Sequence, residues 1–131
     1  FFIKFKKDMS KLEKLFKSKK IKIYYKDHPN KKNRLNYKNK NFKKLNFNIP
    51  CEFQKDDYCL VIGFASNPLC NFYLNRSVSL IEIYKNYIHK ISYDNYPLYF
   101  KRWHHVNSKV YTPKNIKQLS NYITKKISNI K

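Results

Sequence analysis

Glycine is nearly absent from this chain, because Gly63 is the only one among 131 residues. A P-loop and a dinucleotide-binding fingerprint each need several glycines where the backbone approaches phosphate, so neither motif is possible. Catalytic carboxylates are also missing: Asp56 and Asp57 lie beside a predicted strand, but no acid or base motif accompanies them. The sequence therefore predicts a binding protein and not an enzyme.

Cysteine is scarce as well. Cys51, Cys59 and Cys70 are odd in number and have no CxxC spacing, which argues against a zinc ribbon and a disulfide scaffold and favours a reducing compartment. His104 and His105 are adjacent on a predicted strand, so their side chains point to opposite faces and cannot readily share one ion. We expect no cofactor and no metal.

Long apolar segments are absent too. No run approaches the roughly 18 to 20 residues that cross a bilayer, so the sequence predicts no transmembrane segment. The first residue is Phe rather than Met, and we expect the natural start to lie upstream.

Acidic residues are few, and the chain is strongly basic. Lys and Arg number 29 against 8 Asp and Glu, a formal net charge of +21, which predicts a polyanionic partner. Residues 1–50 have 17 basic and 3 acidic side chains, and residues 51–131 have 12 and 5. We therefore expect a basic extension over 1–50 and a domain over 51–131. A genome poor in G and C would supply part of the lysine without any selection for function.

The extension contains one predicted helix. Ser10 and Glu13 have the spacing of a capping box, and Met9, Leu12 and Phe16 follow helical spacing.

The rest of the extension has weaker patterns. Residues 21–25 fit a brief strand or an extended arm. Residues 31–48 mix cations with aromatic and aliphatic side chains without a steady period, which fits either a disordered tail or an arm that orders on RNA. Under the second interpretation, the candidate RNA-binding residues are Lys31, Lys32, Arg34, Tyr37, Lys38, Lys40, Lys43 and Lys44.

The domain begins with an apolar run over residues 58–66 that predicts a buried strand. Residues 77–90 predict a helix with Asn75 or Ser77 as its N-cap, since polar side chains recur at helical spacing. The polar positions are Ser79, Glu82, Asn86 and His89, and the predicted buried positions include Val78, Ile81, Tyr84 and Ile88.

Residues 90–110 predict two strands joined by a loop, and Thr112 with Pro113 predicts the start of a second helix. Ile116, Leu119 and Ile123 continue that helical period. Whether residues 124–130 extend the helix or form a closing strand stays open on pattern alone. The order of elements predicts an α+β sandwich, with two helices on one face of a mainly antiparallel sheet.

Three short stretches resemble one known family. Residues 74–78, Leu-Asn-Arg-Ser-Val, are similar to the opening of that family's first helix, and Pro97-Leu98 lie where its hairpin turns. Arg102, Trp103, Val106 and Ser108 match its next strand. On these motifs, residues 58–130 resemble small-subunit ribosomal protein ten of bacteria and organelles.

The resemblance implies a ferredoxin-like split β-α-β fold with a long hairpin between its second and third strands and a closing strand after Lys125. It also implies a structural role in binding the 3′ (head) domain of small-subunit rRNA, beside ribosomal proteins three, nine and fourteen.

The hairpin is the second candidate RNA-binding region. Arg102 is one of only three arginines in a lysine-biased chain, which favours a bidentate phosphate contact. Trp103 has an alternative role as the anchor of the hairpin on the sheet, and His104 has an alternative role in simple packing or at the surface. The candidate residues of the domain are Arg76, Lys101, Arg102, Trp103, His104, Asn107, Lys109 and Lys114.

These observations predict a structural rRNA-binding protein of an organellar small ribosomal subunit. We favour a mitochondrion, and a plastid stays open. Two alternatives remain: an accessory structural subunit of an organellar membrane complex whose charge faces anionic lipid, and an RNA-binding module that acts outside the ribosome.

Overall fold

The computed structural model describes residues 1–26, 39–46, 49, 58–64, 76–87 and 110–128. The chain divides into two compact units, Phe1–Gln54 and Lys55–Lys131. Residues 50–57 lie outside the described ranges, so the domain boundary that the sequence predicts near Pro50 stays a prediction.

The first unit begins with helix α1, Phe2–Ser18, where the sequence predicts a shorter helix. Phe5 and Leu12 are buried on one side of it, as the helical period requires. The predicted capping box is wrong, because Ser10 lies inside the helix and its hydroxyl donates to the Lys6 carbonyl oxygen at 3.0 Å.

Helix α1 ends in a Schellman motif. The Lys20 N–H donates to the Lys17 carbonyl oxygen at 3.2 Å, and the Ile21 N–H donates to the Phe16 carbonyl oxygen at 3.0 Å. This geometry needs a left-handed residue after the helix, and Lys20 adopts it with φ 56°. A position that usually belongs to glycine is therefore occupied by lysine.

Two short parallel strands follow α1 in the first unit. Strand β1, Tyr24–Tyr25, pairs with β2, Lys43–Lys44, and Tyr24 lies opposite Lys43. The sequence allows either a brief strand or an extended arm over residues 21–25, and β1 lies within that range.

The Glu13 side chain ties α1 to the segment before β2. Its carboxylate accepts hydrogen bonds from the Asn39 and Asn41 side-chain amides at 2.7 and 2.5 Å. These two hydrogen bonds hold the pKa of Glu13 below its ordinary value, and the bond from Asn41 has the larger effect. The positive charge of Lys17 lowers the pKa in the same direction.

The second unit is built around strand β4, Ser77–Ser79. It pairs in parallel with β3, Val61–Gly63, so that Ile62 lies opposite Val78. Tyr111 forms a parallel bridge to Val78. The Ser79 N–H donates to the Tyr111 carbonyl oxygen at 2.9 Å, and the Tyr111 N–H donates to the Ser77 carbonyl oxygen at 3.0 Å. All three residues of β4 are buried.

The helix that the sequence predicts over residues 77–90 is wrong in the part described. Residues 77–79 form β4, and only a 3₁₀ turn, Lys85–Tyr87, follows. The segment pairs on both edges, with Val61–Gly63 and with Tyr111, and the Ser79 hydroxyl also donates to the Phe64 carbonyl oxygen.

The burial of this segment was predicted better than its conformation. Val78, Ile81 and Tyr84 are at most 4% exposed, as the predicted stripe requires. Ser79, however, was assigned to the polar face and is fully buried. Ile88 and His89 lie outside the described residues.

The second helix, α2, spans Ile116–Ser128 and buries Leu119 and Ile123. It starts after the predicted Thr112-Pro113 position, because Asn115 is its N-cap: the Asn115 side-chain oxygen accepts from the Gln118 N–H at 2.9 Å. The helix continues past Lys125, so the closing strand that the resemblance implies there is wrong.

The ferredoxin-like sandwich is therefore overturned as a whole. Both strand pairs of the described residues are parallel, whereas the predicted sheet is mainly antiparallel. The described residues form an α+β arrangement with two helices and two small parallel strand pairs. The predicted long hairpin falls mostly on residues 88–109, outside the described ranges, and Tyr111 at its expected end pairs in parallel. Neither described helix is long and apolar enough to cross a membrane.

We expect Lys20→Gly to stabilise the first unit by about 1 kcal/mol, because glycine adopts positive φ without the steric cost of a Cβ atom. Chemical denaturation followed by far-ultraviolet circular dichroism measures the change. Lys19→Gly is the matched control: it removes the same charge at φ −96°, so it should destabilise. Equal effects of the two substitutions would show that charge and not backbone geometry decides the outcome.

The Glu13 hydrogen bonds predict a pH-dependent contribution to stability. Because the pKa is lower in the folded chain, the contribution is complete above the unfolded pKa of roughly 4.3 and is lost as pH falls through the folded value. The difference in melting temperature between the parent chain and Glu13→Gln should be constant near neutral pH and shrink below about pH 4.3. In the background Asn39→Ala with Asn41→Ala, that pH dependence should fall to the smaller part that the charge of Lys17 contributes, and an undiminished pH dependence would refute the assignment.

Candidate nucleic-acid interface

The solvent side of α1 is a continuous cationic surface. Five exposed lysines lie on it, and we call them the lysine face: Lys6, Lys7, Lys11, Lys14 and Lys17. Lys7, Lys11 and Lys14 follow one another at i, i+4 and i+7, so they lie on one side of the helix. From Lys6 to Lys17 the face extends about 16 Å along the axis at 1.5 Å per residue.

The carboxylates of α1 do not pair with the central lysines of this surface. Asp8 is buried and pairs with Lys4 at 3.0 Å, away from the lysine face. Glu13 lies at its edge, with both carboxylate oxygens engaged by Asn39 and Asn41. Within the described part of the chain, Lys7, Lys11 and Lys14 have no ion-pair partner.

The arrangement costs the free protein some stability. Like charges three or four residues apart on a helix repel by roughly 0.2–0.5 kcal/mol per pair at low salt. A polyanion that lies along the face removes this repulsion and releases its own condensed counterions. The lysine face is thus suited to binding phosphates.

Three of the predicted RNA-binding residues in the first unit are described. Lys40, Lys43 and Lys44 are exposed, and Lys43 Nζ lies 5.8 Å from the centre of the Tyr24 ring. Successive residues of a strand point to opposite faces, so Lys43 and Lys44 do not form one patch.

Two predicted residues of the second unit are described, and they differ. Lys114 is exposed just before α2. Arg76 is half-buried, and its guanidinium donates to the Tyr58 carbonyl oxygen at 2.8 Å. Arg76 therefore joins the start of β4 to the residues before β3, and an RNA contact by its side chain stays a prediction.

The other predicted residues fall outside the described ranges, and their roles stay predictions. They are Lys31, Lys32, Arg34, Tyr37 and Lys38 of the extension, and Lys101, Arg102, Trp103, His104, Asn107 and Lys109 of the predicted hairpin.

The lysine face is not apparent from the helix that the sequence predicts around Ser10. In the sequence, the lysine face corresponds to lysines spaced three or four residues apart, on the side of the helix opposite Phe5 and Leu12. This pattern can be recognised once a helix is assigned from residue 2. The expected helix began too late, at Ser10, to include Lys6 and Lys7.

Metal ligands do not cluster in the parts that the structure describes. No group of three or more His, Cys, Asp or Glu side chains could hold an ion there. Cys59 is a free, exposed thiol.

Comparison with known proteins gives no relative for this chain. No protein-family model, curated protein or solved structure matches it. The resemblance to the ribosomal protein ten family therefore rests on the sequence motifs alone.

Proposed function

We propose that this chain binds RNA through the lysine face of α1, as a structural protein and not as an enzyme. The observation that supports this most directly is the set of five exposed lysines on one side of a helix whose carboxylates are engaged elsewhere. The formal net charge of +21 acts in the same direction over the whole chain. Lys40, Lys43 and Lys44 add three exposed cations in the same unit.

In its most specific form, the proposal is a protein of an organellar small ribosomal subunit, bound to the 3′ (head) domain of the rRNA. This form depends on the motifs at residues 74–78, 97–98 and 102–108. The described fold does not match the ferredoxin-like one that those motifs implied, so RNA binding and ribosomal location need separate tests.

The lysine face predicts a defined change in salt dependence. Changing Lys7, Lys11 and Lys14 to Gln should lower the slope of log K against log salt by about 2, at roughly 0.7 per phosphate contact with a single strand. Binding of a transcript of the 3′ rRNA domain at several salt concentrations measures it.

The matched control changes Lys19, Lys20 and Lys22 to Gln. These lysines are also exposed, but they follow the end of α1, so the variant loses the same charge without altering the lysine face. It should keep a steeper slope than the first variant. Equal slopes would mean that binding depends on total charge and not on the helix, and a flat response of the parent chain would end the proposal.

A second candidate function is contact with anionic lipid, and one observation favours it. Ile3 is 86% exposed and lies on the same side of α1 as the lysine face. Basic residues that flank exposed apolar side chains are typical of helices that lie on a membrane surface.

Crosslinking in intact organelles distinguishes the candidates. We expect crosslinks to small-subunit rRNA and sedimentation with that subunit. Crosslinks mainly to messenger RNA would favour a module outside the ribosome. Sedimentation with detergent-solubilised membrane complexes, reduced by Ile3→Ser, would favour the lipid contact and contradict the ribosomal proposal.

A further inference from the structure

An open cleft of about 380 Å³ lies in the second unit against α2. Its lining consists of Tyr111, Gln118, Asn121, Tyr122 and Lys125. Tyr111 is fixed there by its backbone, because its N–H and carbonyl oxygen both bond to β4. Tyr111, the lining residue that precedes α2 in the chain, is therefore held in place by its pairing with the sheet.

Two tyrosine rings form the aromatic side of the cleft. The rings of Tyr111 and Tyr122 stack with centroids 4.1 Å apart and planes 13° from parallel. Lys126 Nζ lies 5.6 Å from the centre of the Tyr122 ring. Each ring covers one face of the other, so the aromatic surface open to a base is an outer face of the half-buried pair, next to positive charge, and nucleobases stack on such faces.

The polar side of the cleft is formed by one row on α2. Gln118, Asn121 and Lys125 occupy positions i, i+3 and i+7, so they share a face of the helix, and all three are exposed. The Gln118 side-chain oxygen accepts from the Lys114 N–H at 2.9 Å, which directs its amide donors elsewhere. Among the described contacts the Asn121 amide has no hydrogen bond, so both its donors and its acceptor are available.

We propose that this cleft binds one base of single-stranded RNA. The base stacks on the Tyr111–Tyr122 pair, the amides of Gln118 and Asn121 meet its hydrogen-bonding edge, and Lys125 contacts the adjoining phosphate. The five described lining residues include no carboxylate, histidine or thiol, so they suit neither a cation nor a reacting group. This inference rests on the proposed RNA binding, and it adds a site that recognises bases to one that recognises charge.

The test compares two oligomers of equal length and charge: a uridine decamer and the same ribose-phosphate chain without bases. The parent chain should bind the decamer about tenfold more tightly, since stacking on aromatic side chains is typically worth 5- to 150-fold per base. Tyr122→Leu and Asn121→Ala should each reduce that preference without changing the salt slope, because neither substitution removes a charge.

Tyr87→Leu is the matched control, since Tyr87 is 52% exposed and does not line the cleft. It should leave the preference intact. Asn121→Ala changes an exposed side chain, so its result holds even if Tyr122→Leu disturbs packing. Equal binding of the two oligomers by the parent chain, or an unchanged preference in Asn121→Ala, overturns the base site while binding through the lysine face stands. Failure of the parent chain to bind either oligomer overturns the proposed function itself.

Free nucleotides provide the last comparison. A mixture of nucleoside monophosphates should compete only weakly with the decamer, because a single nucleotide lacks the neighbouring phosphates. Competition at equal concentration would assign the cleft to a small nucleotide and contradict the RNA site.

Discussion

Excess positive charge is the constraint on which the described structure depends. With 29 basic and 8 acidic side chains, the fold has few carboxylates to use, and each of those described has a local partner. Asp8 pairs with Lys4, Glu82 pairs with Lys85, and Glu13 accepts from Asn39 and Asn41. Each of these acids is engaged within its own unit, and none forms an ion pair with Lys7, Lys11 or Lys14 of the lysine face.

The sequence predicted burial better than conformation. Helical spacing correctly indicated α1 and α2, because each helix buries one side only. The same period failed at Ser77–Ser79, where strand partners lie on both edges and every residue is buried. Periodicity cannot separate such a strand from a buried helix, and the deciding partners, Val61–Gly63 and Tyr111, are distant in the chain.

The two candidate sites differ in how far the sequence could predict them. The lysine face follows from local spacing and needs only the correct start of α1. The cleft could not be predicted, because Tyr111 and Tyr122 meet only when Asn115 caps α2 beside the sheet. The biased composition conceals both sites, since lysine and tyrosine are common throughout the chain.

The central position of β4 has a consequence for biosynthesis. One of its neighbours is made well before it and the other, Tyr111, well after it, so the sheet cannot close until synthesis has passed that residue. The first unit has all its described elements within residues 1–46 and can form much earlier. During translation, the described elements of the first unit are therefore complete while the sheet of the second unit still lacks one of its strands.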